Sequence, residues 1–404
     1  MNFLATTTRC SSTPSPCTKK VASIGPVIRP NYHGSGFVNL VASLVEARGG
    51  APRHPPLVSL PVPELREAQN IVFLIVDGLG DNYLQANGAG GNLACHRRGA
   101  MSAVFPSTTA SAITTSFTGA TPLEHGLTGW FTYFSAAACV AAPLPFQRRG
   151  EKASLGVAPG RIFTEPSLFD TLDTRTVVVS YRPIIDSLYN VHHCGRAERH
   201  AYDNLRGFVD ETVAAVKSGP ERKFVYAYWP EFDTLSHRHG VASAQVRAHF
   251  DALDAAFGEL LARLAGSDSL LVLTADHGFI DCPPAESIEL PGELAALLRF
   301  PLCGERRVAF CHVHEERKFI EKATQLLGDR AQVRPSRELM DEGWFGPGRA
   351  HPHFAERIGD VALVMQGRGT VKDWVAGEPR HLHIGNHGGM SEDEMNIPLV
   401  VAKT

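Results

Sequence analysis

The chain has 404 residues, 44% hydrophobic and 20% charged, with a formal net charge of −3. That balance excludes a disordered chain and gives no basic footprint for nucleic acid or acidic membranes. The length suits two domains or one large α/β domain with insertions, at about 150 residues per domain. No apolar run approaches the ~20 residues of a membrane span. The eight cysteines (10, 17, 95, 139, 194, 282, 303 and 311) are scattered and form no CxxC. Neither a disulfide framework nor a zinc ribbon is indicated, and a reducing, cytoplasmic compartment is expected.

Residues 1–27 read as a disordered tail. No Asp or Glu precedes Glu46, and residues 5–19 are rich in Ser, Thr and Pro. Met1–Ala5 is too short for the apolar region of a secretory signal. An acid-poor, Ser-rich start also fits organelle targeting, but Arg9 is the only Arg before Arg29.

Folded character begins near Ile28. Phe37, Leu40, Val41, Leu44 and Val45 recur at helical spacing. The Gly/Pro-rich stretch Gly49–Pro63 reads as a connection. The run Ile71–Val76 is short, apolar and β-rich, and ends at Asp77-Gly78, so it reads as a buried strand with an acid at its C-terminal end. Similar runs follow at Val177–Ser180, Phe224–Tyr228, Leu270–Leu273, Val361–Met365 and Pro398–Ala402. Val246, Phe250, Leu253, Phe257, Leu260, Leu261 and Leu264 form one face of a helix between two of them. Strands alternating with helices predict a mostly parallel central sheet with helices on both faces. Ligands of such folds gather beyond the C-terminal strand ends. Residues 28–285 and 361–404 are expected to form this core. Residues 286–360, with short segments, many charges and the Pro/Gly-rich piece Gly343–Pro352, are expected to form a small inserted cap.

Acid and imidazole residues end several strands in turn. Asp77 follows the first. Glu231, Asp233, His237 and His239 follow the strand at 224–228, and Asp276-His277-Gly278 follows the strand at 270–273. His381, His383, Asn386 and His387 precede the last strand. Oxygen and imidazole donors without thiolate suit zinc, manganese or magnesium rather than a structural zinc site. Asp233 and His237, four apart, face one way on a helix. The segment 105–119 is dense in hydroxyls. Pro106 and the hydroxyls at 107–109 read as a helix start, and free N–H groups there make an anion site. A hydroxyl placed on a metal becomes a nucleophile. Taken singly, each feature reads as a turn, a cap or a solvated surface; His192-His193 in particular reads as a solvated pair.

Asp77-Gly78, the hydroxyl helix ending in Thr118-Gly119, Pro122-Leu-Glu-His125-Gly126, Asp233-x-x-x-His237, Asp276-His277-Gly278 and Asn386-His387-Gly388 occur in one order. That order, spanning about residue 30 to 404, resembles the alkaline phosphatase superfamily, specifically its type I phosphodiesterase/nucleotide pyrophosphatase family. The resemblance implies an alkaline phosphatase-like α/β fold and two divalent ions, usually zinc, with manganese or magnesium as alternatives. It implies that Asp233, His237 and His387 hold one ion, and that Asp77, Asp276 and His277 hold the other with Thr109 beside it. The family nucleophile lies ten residues before the Gly of the Thr-Gly pair, which gives Thr109 rather than Thr108.

The implied enzyme is a phosphodiesterase or nucleotide pyrophosphatase acting on a small phosphate ester, a nucleotide among the candidates, through a phospho-threonine. The family's usual Asn three residues after the nucleophile is Ala112 here, which puts nucleotide specificity in question; Ser111 or cap residues are candidate substitutes. Rivals are phosphomonoester or phosphonate hydrolysis, for which Arg182 and Arg196 are candidate phosphate contacts, and a catalytically silent binding protein. Absence of a Cys/Ser-x-Pro-x-Arg motif disfavours a sulfatase. Trp130–Phe134 is read either as a stacking surface or as ordinary packing. His351, His353, His381 and His383 are read as exposed or structural, with a third metal or a substrate contact as the alternative. His125 is expected to order the turn after the hydroxyl helix. Oligomeric state has no signal in the sequence.

Overall fold

The computed structural model describes residues 26–404. The expected tail thus lies outside the described residues except for Pro26 and Val27, and Val27 bridges Ser391. The central sheet has seven strands: β1 (Asn70–Val76), β2 (Arg97–Ser102), β3 (Arg175–Tyr181), β4 (Glu198–Tyr202), β5 (Lys223–Trp229), β6 (Ser269–Thr274) and β7 (Asn396–Lys403). Their order is β2-β7-β6-β1-β5-β3-β4. The five strands from β6 to β4 are mutually parallel, while β7 runs antiparallel to both β6 and β2. Strands β1, β5 and β6 are buried along their whole length. Sheets covered on both faces have such continuous apolar strands.

Strand side chains alternate between faces. On one face Phe73 packs on Phe224, on Tyr226 and on Phe37 of helix α1 (Phe37–Ala47), and Phe117 of α2 (Thr109–Thr118) stacks on Tyr226 with ring centroids 4.9 Å apart. On the other, Trp229 packs on Phe208 of α3 (Leu205–Lys217) and on His249 of α4 (Ala244–Leu264). The predicted apolar stripe of α4 is its buried face.

The strand Val361–Met365, expected with the parallel runs, lies elsewhere. It sits inside a four-stranded antiparallel sheet with Cys303–Gly304, Val308–Cys311 and Ala331–Pro335. Its apolar run cannot distinguish one buried sheet from another. Phe319, Ala323 and Leu327 of the helix Glu316–Leu327 cover that sheet and form a second core with Val361 and Leu363. Among the described residues no helix is long and apolar enough to cross a membrane.

Candidate metal centre

The adjacent parallel strands β6, β1 and β5 end at one edge, and each delivers an acid there. Asp77 follows β1 directly, Asp233 lies in the helix Glu231–His239 after β5, and Asp276-His277 follow β6. Glycines let these chain ends approach. Gly78 has φ +77°, and a Cβ there would stand 2.4 Å from the Phe279 ring. A Cβ on Gly278 would stand 2.0 Å from the Asp393 carbonyl oxygen. The freed backbone groups are used: Gly78 N–H and His277 N–H both donate to Asp276 Oδ1 at 3.0 Å.

Three imidazoles converge with one orientation. His237 Nδ1 is 2.9 Å from the Gly385 carbonyl, His277 Nδ1 is 3.1 Å from that of Gly278, and His387 Nδ1 is 3.1 Å from that of Ser107. A carbonyl only accepts, so each Nδ1 carries the proton and each Nε2 presents a lone pair. His237 Nε2 and His387 Nε2 face each other at 3.2 Å, and Asp233 Oδ1 stands 3.3 and 3.7 Å from them. Likewise His277 Nε2 lies 3.3 Å from Asp77 Oδ1 and 3.5 Å from Asp276 Oδ2. Asp233 Oδ1 and Asp276 Oδ2 are buried without a hydrogen-bond partner. Unpaired lone pairs facing one another in a buried site repel and call for cations. Donors around a tetrahedral ion with bonds of ~2.0–2.2 Å stand about 3.3–3.6 Å apart, so these clusters fit divalent metal.

The electrostatics agree. Burial, opposed by the Tyr228 hydroxyl bonded to it, pushes the Asp77 carboxyl up to about 6. Burial and then the Asp77 charge push Asp276 up to about 7, and burial with both neighbouring acids raises Asp233 well above the carboxylate range. Burial drives His237 down to about 3 and His387 well below the histidine range. Neutral imidazoles are the form that binds metal, and a cation between the carboxyls would offset the crowding that raises them and return them to carboxylates. His277 also lies within reach of the Asp233 and His387 donors, between the two clusters.

Thr109 is the first residue of α2, after Thr108 as N-cap. Its hydroxyl is 3.2 Å from His277 Nε2 and 3.5 Å from Asp77 Oδ1. Thr108 instead donates to Glu305 Oε1 at 2.5 Å. The structure therefore brings together all seven expected residues, Asp77, Thr109, Asp233, His237, Asp276, His277 and His387. A cavity of about 400 Å³ opens beside them, lined by Thr109, Asp233, His237 and His387 and also by Trp130, Glu305, Arg306 and Lys372.

The model of the type I phosphodiesterase/nucleotide pyrophosphatase family matches residues 71–389. The chain belongs to this family of hydrolases. Curated relatives include phosphopentomutases of Shewanella baltica and Shewanella denitrificans, 33% and 34% identical over 144 and 145 residues. These matches cover 35% of this chain, and the chain spans about a third (32%) of the length of those relatives. Among solved structures, murine ectonucleotide pyrophosphatase/phosphodiesterase 5 superposes with TM-score 0.61 at 17% identity, over 81% of this chain and 87% of that one. Phosphonoacetate hydrolase from Sinorhizobium meliloti 1021 does so with TM-score 0.59 at 17% identity, over 83% and 90%. At that identity the likeness is one of fold, and the fold is alkaline phosphatase-like.

Several secondary expectations for this type I phosphodiesterase family member need correction. Ser111 is spent on the Leu127 carbonyl at 2.8 Å and does not replace the missing Asn. Arg182 pairs with Asp203 at the surface and Arg196 binds the Phe169 carbonyl; neither lines the cavity. His193 is not solvated: it is buried among Phe117, Phe163 and Tyr189, and burial lowers it to about 3. His351 is structural as expected, buried and accepting from His353 N–H at 3.1 Å, while His381 and His383 line the cavity, the His383 ring 4.2 Å from that of His237. His125 does order its turn, accepting from Leu127 N–H at 3.0 Å. In the aromatic stretch, Tyr133 stacks on Phe300 as packing, whereas Trp130 lines the cavity. Glu305 and Arg306 carry no motif; their hairpin reaches the site through the bridge of Gly304 to Phe131 and the bonds of Glu305 to Thr108 and Trp130.

Proposed function

We propose that this protein is a metal-dependent phosphohydrolase that cleaves phosphodiester or pyrophosphate bonds through a phospho-threonine on Thr109. One observation carries the reading: three imidazole lone pairs and three carboxylates converge beside a hydroxyl at a helix N-terminus. In this reading Asp233, His237 and His387 hold one divalent ion, and Asp77, Asp276 and His277 hold the other with Thr109. Zinc fits the His/carboxylate donor set best, with manganese and magnesium as alternatives. Two such ions supply charge stabilisation for the phosphoryl group and ease loss of the Thr109 proton.

The chain's own residues do the rest. Thr109 Oγ1 attacks phosphorus in line, the O–P bond forms, and the bond to the leaving group breaks. Free N–H groups in the first turn of α2 hold a non-bridging oxygen. Water then cleaves the phospho-threonine. The substrate is a small phosphate ester, and a nucleotide remains a candidate because Trp130 offers an indole face 39% exposed beside the cavity. Ala112, buried and without a polar atom, favours a second reading as a phosphomonoesterase or phosphonate hydrolase. A cytoplasmic setting is supported by six free thiols among the described residues.

The test is hydrolysis of matched aryl substrates (a monoester, a simple diester and a nucleotide diester) with zinc or manganese and with chelator. Chelator-sensitive, Thr109-dependent diester cleavage is expected. A dominant monoester rate would move the protein to the second reading, and failure to retain metal would sink both.

A further inference from the structure

Three cations line the cavity, Arg149, Arg306 and Lys372, and Arg307 lies next to one of them in sequence. Most of them are matched. Arg149 binds Asp373 at 2.7 Å and Glu378 at 2.8 Å, Lys372 binds Glu378 at 3.1 Å, and Arg307 turns away to Glu394 at 3.0 Å. Arg306 is the exception. It lines the cavity with Thr109 and His237, yet among the described residues no carboxylate oxygen lies within 4.0 Å of its guanidinium. Its one side-chain hydrogen bond reaches the His381 carbonyl at 3.3 Å. The nearest acid in sequence, Glu305, is committed elsewhere: it accepts from Thr108 Oγ1 at 2.5 Å and from Trp130 N–H at 2.6 Å. Burial holds the Arg306 guanidinium below the usual arginine range. A half-buried planar cation with spare donors is a ready site for a carboxylate or phosphate.

We propose that Arg306 is a specificity-determining residue that binds a second anionic group of the substrate, a carboxylate or a further phosphoryl group, next to the phosphoryl group at the metal centre. This rests on the phosphohydrolase reading above. The substrate class is then a phosphate or phosphonate ester bearing another anion on the part that faces the small sheet. Trp130, lining the same cavity, covers the apolar link between the two charges. A cavity of about 400 Å³ accommodates a compact dianionic ligand of this kind.

The experiment is titration calorimetry of the zinc-loaded protein with methylphosphonate, 2-carboxyethylphosphonate and methylenediphosphonate. Wild type, Arg306→Ala and Arg306→Lys are compared, with thermal unfolding as a check on folding. Wild type is expected to prefer a two-anion probe over methylphosphonate by roughly ten- to hundredfold. Arg306→Ala should erase that preference while leaving methylphosphonate binding unchanged, and Arg306→Lys should restore part of it. Zinc content is measured on each protein after titration, so metal lost to a chelating probe is told apart from loss of the Arg306 contact. The stronger of the two dianions tells carboxylate from phosphoryl. Equal preference in wild type and Arg306→Ala, with methylphosphonate still bound, overturns the proposal and leaves the phosphohydrolase reading standing. Binding of no probe overturns both.

Discussion

Each imidazole of the metal centre is aimed by a backbone carbonyl at its far nitrogen, so the ligand geometry is set by main chain rather than by other side chains. Thr108 and Thr109 are neighbours with opposite commitments, one to Glu305 and one to His277. Thr109→Ala is therefore expected to lower turnover by more than about a thousandfold with metal content unchanged, whereas Thr108→Ala retains most activity; rates and metal analysis on both variants check this. A pH prediction follows from Asp276. Its carboxyl is pushed up to about 7 by burial and by Asp77, from an ordinary 3.8. In metal-free protein the folded state thus holds a proton that the unfolded state releases between about pH 4 and 7. The stability this gives is fully present below pH 4 and lost as pH rises through 7. Asp276→Asn, which cannot ionise, should gain on wild type by a few kcal/mol between pH 5 and 8. Thermal unfolding in chelator measures it, and parallel pH curves would contradict it.

At the scale of elements, the strand ends matter because their loops are pressed together. Gly278 lies against the Asp393 carbonyl and 3.0 Å from Gly80 Cα, measured from the position a Cβ would take. Both obstacles are backbone and cannot swing aside. Gly278→Ala is expected to cost about 1–3 kcal/mol and to weaken zinc binding by displacing Asp276 and His277. Denaturant unfolding and a competitive chelator titration would show both effects together; a variant that loses neither would mean the loops are not held by this contact.

At the scale of the whole molecule, a buried ion pair ties the four-stranded sheet to the segment leading into β7. Arg307 of the small-sheet hairpin binds Glu394 at 3.0 and 3.2 Å. Glu394 also accepts from Gly389 N–H at 2.8 Å and from Ser391, so the pair anchors the loop that carries His387. Breaking a buried pair by removing one partner leaves an uncompensated charge and costs about 3–5 kcal/mol. Arg307→Ala should show that loss and a lower affinity for the ion at the Asp233 cluster, while Glu394→Gln with Arg307→Met is better tolerated. Zinc at about a hundred times its dissociation constant should stabilise the wild type by about 2.7 kcal/mol, and His387→Ala should reduce that gain in a melting assay.

The apolar runs at Ile71–Val76, Phe224–Tyr228 and Leu270–Leu273, the stripe of α4 and the acids at strand ends were all legible in the sequence, because strand and helix periodicity and strand-end chemistry are local properties. The order of the motifs identified the family, and the spacing to Gly119 singled out Thr109. What the sequence could not decide was partnership between distant segments. Val361–Met365 is apolar enough for either sheet, and only pairing assigned it to the smaller one. His192-His193 looked polar until Phe163 and Tyr189 enclosed His193. Arg306 and Arg307 are adjacent and chemically identical. Tertiary structure alone pairs one with Glu394 and turns the other into the cavity without a carboxylate, because burial and charge compensation depend on atoms brought together from across the chain.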